Sequence, residues 1–162
     1  MHGNVDRQII GGLSGGIVVE GSERLYPFLK GLTEWVILFK HRPIGRADYQ
    51  ELVTVNATVM PKIPIRPGEA QFWEMGHIGA DRFLRVKVER MPFYVIGRDG
   101  YFLPHPIKMD EVLLGPVKNG NPGAAKMIIP FTNPEIVGRF VFHCHVVKHE
   151  DKGMMGTIEV HP

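Results

Sequence analysis

The 162 residues fit one domain of ordinary size with a substantial core, and a second full domain is not expected. The 19 Lys and Arg nearly balance the 17 Asp and Glu with no long basic run, and no apolar stretch is long enough to span a bilayer. The composition therefore predicts neither nucleic acid nor membrane as a partner. The only cysteine excludes an internal disulfide and leaves a thiol that can be a ligand.

Glycines and prolines, 19 and 13 of them, punctuate short runs rich in Val, Ile, Phe and Leu. This pattern is typical of antiparallel sandwiches and barrels, so we predict an all-β fold with few or no helices. Leu25 to Lys30 is expected to be a linker or a short helical turn, because a proline interrupts it. Trp35 to Lys40 is an apolar run that predicts a buried strand. His41, followed by Arg and Pro, is interpreted as a solvated loop histidine.

Further strands are predicted between the prolines of the middle region. In Phe83 to Val88, polar and apolar residues alternate as in a half-buried strand. His77 is expected on a turn before that strand, and His105, between two prolines, is expected to be stiff and exposed. The other candidate strands are Leu52 to Val59, Ile63 to Arg66 and Ala70 to Met75.

The stretch from Phe142 to Met155 contains three histidines, the cysteine and two methionines. A thiolate, imidazoles and a weak thioether suit a blue-copper centre, and Cys144, His149 and Met154 supply one of each. Three other interpretations are open for such residues: an inert buried cysteine, methionines as core filler, and a loose zinc site. Ligand softness together with the spacing favours copper.

Valine and phenylalanine precede His143-Cys144-His145, so this triplet is predicted to end a β-strand. Because alternate side chains of a strand point to opposite faces, Cys144 should face one way and the two histidines the other. The loop with His149 and Met154 must then fold back over Cys144.

This stretch resembles the C-terminal signature of the multicopper oxidases, the family of laccases, bilirubin oxidases and cuprous oxidases. The signature is His-Cys-His, three residues, His, four residues, Met. The resemblance implies a cupredoxin-like Greek-key sandwich or barrel with copper as cofactor. It implies that Cys144, His149 and Met154 bind a type 1 copper, and that His143 and His145 bind a trinuclear copper cluster.

Other segments resemble the same family. The turn Gly12-Leu13-Ser14-Gly15 with its following apolar strand resembles the end of the family's first domain. The segment from Val55 to Pro116 resembles the second domain, and residues 121–145 resemble the closing half of the third domain. We therefore expect a truncated or rearranged form, with an N-terminal segment over 1–24 and a single cupredoxin-like domain over 25–162.

The family's early third-domain motif, His-Pro-x-His-x-His, has no match in this sequence. The type 1 copper therefore lacks a fourth ligand in this sequence, and we favour His77 over His105 for that position. A homo-oligomer in which copies pool His143 and His145 is one route to the missing cluster ligands.

The resemblance implies a laccase-like activity, in which a phenolic or low-valent metal-ion substrate is oxidised in one-electron steps and dioxygen is reduced to water. Electrons are expected to pass from Cys144 through His143 and His145. By analogy with the family, an extracytoplasmic location is expected. The alternative is a non-enzymatic cupredoxin with a single copper, used for electron transfer or copper binding.

Overall fold

The computed structural model describes residues 14–43, 51–79, 83–116, 123–131, 137–144 and 154–161. These residues form two β-sheets, preceded by two short helical turns. The turns are α1 (Ser22–Leu25) and a 3₁₀ turn (Pro27–Leu29). The strands are β1 (Thr33–Pro43), β2 (Glu51–Val55), β3 (Lys62–Ile65), β4 (Ala70–His77), β5 (Leu84–Val88), β6 (Phe93–Arg98), β7 (Tyr101–Met109), β8 (Glu111–Leu114), β9 (Gly123–Pro130), β10 (Gly138–Cys144) and β11 (Met155–Val160).

Each sheet mixes nearby and distant parts of the chain. The first sheet has the order β2-β1-β4-β9-β6-β7, and the second has the order β3-β11-β10-β5-β8. β1 pairs with β4 in parallel, as β3 does with β11, while the other pairs are antiparallel. The ends of β1, β4 and β10 are thereby fixed by pairings between segments that are far apart in sequence.

Alternating burial explains why the predicted strands form. In β5, Leu84, Val86 and Val88 are buried while Phe83 just before the strand and Arg85 are exposed. The strand predicted over Trp35 to Lys40 is confirmed within β1, and the three other candidate strands correspond to β2, β3 and β4. Central β4 is buried on both faces: Trp73 and Met75 belong to the main core cluster, and Phe72 belongs to a smaller cluster on the other face.

Aromatic side chains join the two sheets in the core. Phe142 of β10 meets Trp73 of β4 edge to face, with ring centroids 5.4 Å apart, and meets Phe39 of β1 at 6.3 Å. All three rings are fully buried. Edge-to-face pairs of this kind stabilise a core by about 0.5–1.5 kcal/mol beyond the area they bury.

The outer face of the first sheet carries a second, smaller cluster. Leu29 from the 3₁₀ turn packs with Phe72 and Ile96, and the Tyr26 hydroxyl donates to the carbonyl of Leu103. The helical turn predicted near Leu25 to Lys30 is thus confirmed, whereas the domain division at residue 24 stays a prediction. Within the described ranges, no helix has the length and apolar character needed to cross a membrane.

The architecture confirms the predicted all-β sandwich. Two features of the sequence interpretation are wrong in detail. His77 is the last residue of strand β4 rather than part of a turn, and His41 lies in strand β1 rather than in a solvated loop. Parallel pairing with Phe39 of β1 extends β4 to His77, and antiparallel pairing with Val53 of β2 extends β1 through His41. His105 is exposed, as predicted, although it lies in edge strand β7 between Pro104 and Pro106.

The contact between Phe142 and Gly156 gives a stability test. Gly156 is paired with Phe142, and a methyl group on Gly156 would come within 2.3 Å of the Phe142 ring. We expect Gly156→Ala to destabilise the fold by about 1–3 kcal/mol, because the displaced ring must repack against Trp73 and Phe39. Chemical denaturation measures this change.

Gly15→Ala is the matched control for that substitution. Nothing lies within 4 Å of a methyl group built on Gly15, so the stability should stay within about 0.5 kcal/mol of the parent. Adding Phe142→Leu to Gly156→Ala should recover part of the loss. Equal stability of Gly156→Ala and the parent would contradict the tight contact.

Candidate metal centre

Cys144 ends strand β10 and points into the sandwich. Its side chain is fully buried, and it belongs to the same core cluster as Phe142 two residues earlier. Strand alternation predicted that the thiol and the flanking histidines face opposite ways, and the structure shows that the thiol has the inward face. A thiol at this depth is shielded from solvent by the two sheets.

Met154 lies beside the end of the same strand. Its backbone carbonyl accepts a hydrogen bond from the Cys144 amide at 3.0 Å, and its side chain is fully buried in the core cluster. The predicted return of the chain to Cys144 is therefore confirmed at Met154. His145 and His149 lie outside the described residues.

His143 points to the opposite face of the second sheet from Cys144. Its ring is buried, and Nε2 lies 3.0 Å from Oε1 of Glu89, the residue that follows strand β5. A carboxylate accepts hydrogen bonds, so Nε2 is the donor in this pair. Lys87 approaches the same carboxylate at 3.9 Å. The arrangement fixes the orientation of the His143 ring.

His77 is fully buried at the end of β4. Its Nδ1 lies 3.1 Å from the carbonyl oxygen of Gly115. Because a carbonyl only accepts, Nδ1 carries the hydrogen, and in the neutral ring Nε2 holds the lone pair that can bind a metal.

Strand register brings His77 to the end of the sandwich that carries Cys144. Cys144 pairs with the middle of β5, whose first residue, Leu84, pairs with Leu114 at the end of β8. The next residue, Gly115, receives the hydrogen bond from His77. The order of strands therefore gathers sulfur and imidazole groups from β4 and β10 at one end of the fold.

His41 is part of this end of the fold. Its ring stacks on that of His77, with centroids 5.3 Å apart and planes 21° from parallel, and its exposed fraction is 6%. The expected solvated histidine is thus a buried one. The cause is strand pairing: Phe39 of β1 lies opposite His77, and β1 continues two residues further to His41, which pairs with Val53 of β2.

The donor set fits copper. Cys144 and Met154 offer a thiol and a thioether, which are soft ligands, at one shielded position of the fold. Within the described ranges, no three His, Cys, Asp or Glu side chains come together in a group that could hold a metal ion. A complete centre therefore needs ligands from outside those ranges.

Sequence reasoning missed two residues, Glu89 and His41. Glu89 continues the polar face of the alternating strand that includes Arg85 and Lys87. This alternation indicates that Glu89 lies on the outer face, but it does not indicate that Glu89 contacts His143. That partner is set by the β5–β10 pairing, which single-sequence patterns do not reveal. For His41, the following proline suggested a loop.

Comparison with known proteins relates the C-terminal region of this chain to one family. Residues 90–162 match the family described as Multicopper oxidase. The chain is 39% identical over 98 residues to the multicopper oxidase mco of Staphylococcus haemolyticus (strain JCSC1435), an alignment that covers 57% of this chain and 20% of the relative. The chain thus spans about a fifth of the length of the curated relatives it matches first.

Solved structures share the fold. A crystal structure of a multicopper oxidase superposes with a TM-score of 0.74 at 21% identity, covering 98% of this chain and 53% of that one. A laccase from Pediococcus acidilactici Pa5930 gives 0.63 at 18% identity, covering 91% and 29%. The sandwich is therefore the cupredoxin-like one of these enzymes, and copper is the cofactor that the family implies. The C-terminal region of this chain is therefore similar in sequence to the multicopper oxidases, and its fold is the one that their solved structures share.

Proposed function

We propose that this chain is a copper oxidoreductase in which Cys144, His149 and Met154 hold a type 1 copper. The observation that carries the proposal is the fully buried pair of Cys144 and Met154, joined by the 3.0 Å backbone hydrogen bond at the end of β10. This pair lies within the region that matches the family. Bound copper would supply a one-electron acceptor at this position.

The residues around this pair define what the chain contributes. The core cluster that contains Cys144 and Met154 excludes water, and such a shell controls the reduction potential of a metal site. The backbone hydrogen bond keeps the two sulfur-bearing residues together independently of their side chains. The protein therefore supplies a dry and ordered pocket for a soft ligand set.

His143 and His145 are proposed to serve a second, oxygen-reducing copper site. His143 lies on the outer face of the second sheet, beside Glu89. The next residue, Cys144, faces the core, so the peptide bond between them gives a short covalent path between the two faces. Glu89 would hold the His143 ring in place for this role, since carboxylates commonly orient metal-binding imidazoles. The proposed reaction is one-electron oxidation of a phenol or a low-valent metal ion, with dioxygen reduced to water.

A specific observation favours the alternative, a single-copper electron carrier. Nε2 of His143 donates to Glu89, and Nδ1 lies 3.4 Å from the carbonyl oxygen of Cys144, so a metal bound at either nitrogen would displace one of these contacts. Within the part of the chain that the structure describes, no group of three metal-binding residues surrounds His143. A second site would thus require ligands from elsewhere, including other copies of the chain.

His77 was expected to fill the fourth position of the type 1 centre. It lies at the same end of the sandwich as Cys144, through the pairings of β5 and β8. We propose that His77 would bind through Nε2, because Nδ1 donates to the carbonyl of Gly115.

The type 1 centre is tested by its colour and potential. We expect copper-loaded protein to show an intense thiolate-to-copper absorption band that Cys144→Ser abolishes, because the thiolate is the electron donor of that transition. Met154→Leu should keep the band and shift the reduction potential, since the axial ligand tunes the potential. Met155→Leu, which changes the neighbouring half-buried methionine, is the matched control and should leave the potential unchanged. A copper-loaded parent without the band would refute the centre.

The oxidase is distinguished from the electron carrier by oxygen consumption. With a phenolic substrate, the oxidase predicts dioxygen uptake that His143→Ala abolishes while the blue band remains. His105→Ala removes an exposed histidine of β7 and should leave the uptake unchanged. No uptake by the copper-loaded parent, with a single copper ion per chain, would favour the electron carrier.

Pooling of histidines between copies predicts a coupled change in mass and metal content. We expect the copper-loaded chain to form a closed oligomer, because symmetry-related copies would bring several imidazoles to one axis. Light scattering together with metal analysis measures both quantities. A monomer that retains more than one copper per chain would contradict the pooling.

A further inference from the structure

A cavity of about 430 Å³ lies on the outer face of the first sheet, beside the segment 14–21 that leads into α1. Strands β1, β4, β6, β7 and β9 supply its floor, and the segment supplies one wall. Pockets that bind small molecules have volumes of about 300–1,000 Å³, so this cavity has the size of a ligand site. Cys144 lies on the other side of this sheet, in the core, so copper bound there would play no part in the cavity.

Small side chains on neighbouring strands create the hollow. Gly76 of β4 pairs with Leu38 of β1 on one side and with Ala124 of β9 on the other. Gly97 of β6 follows beyond β9, and Phe102 of β7 pairs with it. Two glycines and one methyl group thus form the low part of the floor, and the larger side chains of Leu38 and Phe102 stand on either side of it.

The segment 14–21 is held near both of its ends. Lys40 Nζ donates to Ser14 Oγ at 2.8 Å, and Lys126 Nζ donates to Ser22 Oγ at 3.3 Å. The apolar residues 17–19 lie between these two contacts and line the cavity. The wall that they form therefore has its position set by side chains of the sheet.

The charged residues that line the cavity are three acids and two bases: Glu20, Glu74, Asp99, Arg98 and Lys126. Glu74 and Lys126 form an ion pair. Asp99 accepts a hydrogen bond from the Ala124 amide, and Arg98 donates to the Leu113 carbonyl. Within the described part of the chain, Glu20 has no such partner. Negative charge is thus in excess, and the carboxylate of Glu20 is the group that a ligand can meet.

The surroundings of Glu34 show the same excess of negative charge. Glu34 lines a smaller recess that shares Val19 to Ser22 with the cavity. Partial burial raises the pKa of the Glu34 carboxyl above its ordinary value, and the charge of Glu74 raises this pKa further. Lys126 lowers the same pKa by less than Glu74 raises it. An added positive charge would therefore be stabilised here.

Aromatic rings favour positive charge at this place as well. Lys126 Nζ lies 5.3 Å from the centroid of the Phe102 ring and 5.8 Å from that of Phe72. The face of an aromatic ring attracts cations. The protein thus already holds one ammonium group of its own beside the cavity.

We propose that this cavity binds a small organic cation with an apolar body, such as a primary amine that carries an aromatic ring. The apolar body lies on the floor between Leu38 and Phe102, where its burial drives binding. The ammonium group lies at Glu20. An anion of the same shape would meet the excess of carboxylates instead.

Three ligands with one apolar body and different charges test the proposal. Phenylbutylamine, phenylbutanol and phenylbutyrate are titrated into the full chain, with and without copper, and calorimetry measures each affinity. We expect the amine to bind about tenfold more tightly than the acid, with the alcohol between them, because Glu20 attracts one charge and repels the other. The amide resonances of Gly97 and Ala124 should shift as the amine binds, which places the ligand on the floor.

Two pairs of variants test the charge and the space separately. Glu20→Gln should weaken the amine about threefold and leave the alcohol unchanged, whereas Glu111→Gln, on an edge strand of the second sheet, should change neither. Ala124→Leu should remove the binding of all three ligands by filling the floor. Ala70→Leu makes the same substitution in β4 outside the cavity, and it should keep the binding. Unfolding midpoints show whether each variant keeps the fold.

The outcomes separate this cavity from the proposed copper centre. Affinities of the metal-free chain do not depend on the blue band, so either proposal can fail without the other. Binding of phenylbutyrate as tight as that of phenylbutylamine would overturn the ligand class, and so would an amine affinity that Glu20→Gln leaves unchanged. No binding of any of the three ligands, or binding without a shift of the Gly97 and Ala124 amides, would overturn the site.

Discussion

The candidate centre depends on the edge-to-face contact of Phe142 with Trp73 and Phe39 between the two sheets. This contact fixes which face of β10 points inward. Since side chains two residues apart share a face, Cys144 follows Phe142 into the core, and His143 is turned to the opposite face beside Glu89. A rotation of this strand would exchange the thiol for an imidazole, so one packing interaction determines the chemistry available on both faces.

The end of the sandwich that carries Cys144 is assembled from segments that are distant in sequence. His41 arrives on β1, His77 on β4 and Cys144 on β10, and the strands that link them are paired in a mixed order. The sheets thereby place nitrogen and sulfur donors on rigid strand ends rather than on loops alone. Rigid support of this kind limits how far ligands must move when they bind a metal.

The sequence allowed two features to be predicted from local alternation: the fold class, and the opposite orientation of Cys144 and His143. The alternation of Leu84, Val86 and Val88 and the position of Cys144 at a strand end are examples. His41 and Glu89 could not be predicted in the same way, since their surroundings depend on which strands pair. Glycines on both sides of His77 suggested a turn, whereas they lie at the end of β4, where Gly76 packs against Leu38 and Gly79 against the rings of His41 and His77.

The edge strand β7 has a consequence for how copies of the chain meet. Strand β7 forms one edge of the first sheet, and its Pro104 and Pro106 each lack a backbone N–H donor. A strand from a neighbouring molecule therefore cannot form a continuous ladder along this border, and sheet-to-sheet aggregation is disfavoured there. Self-association of the chain must then use side-chain surfaces or another edge.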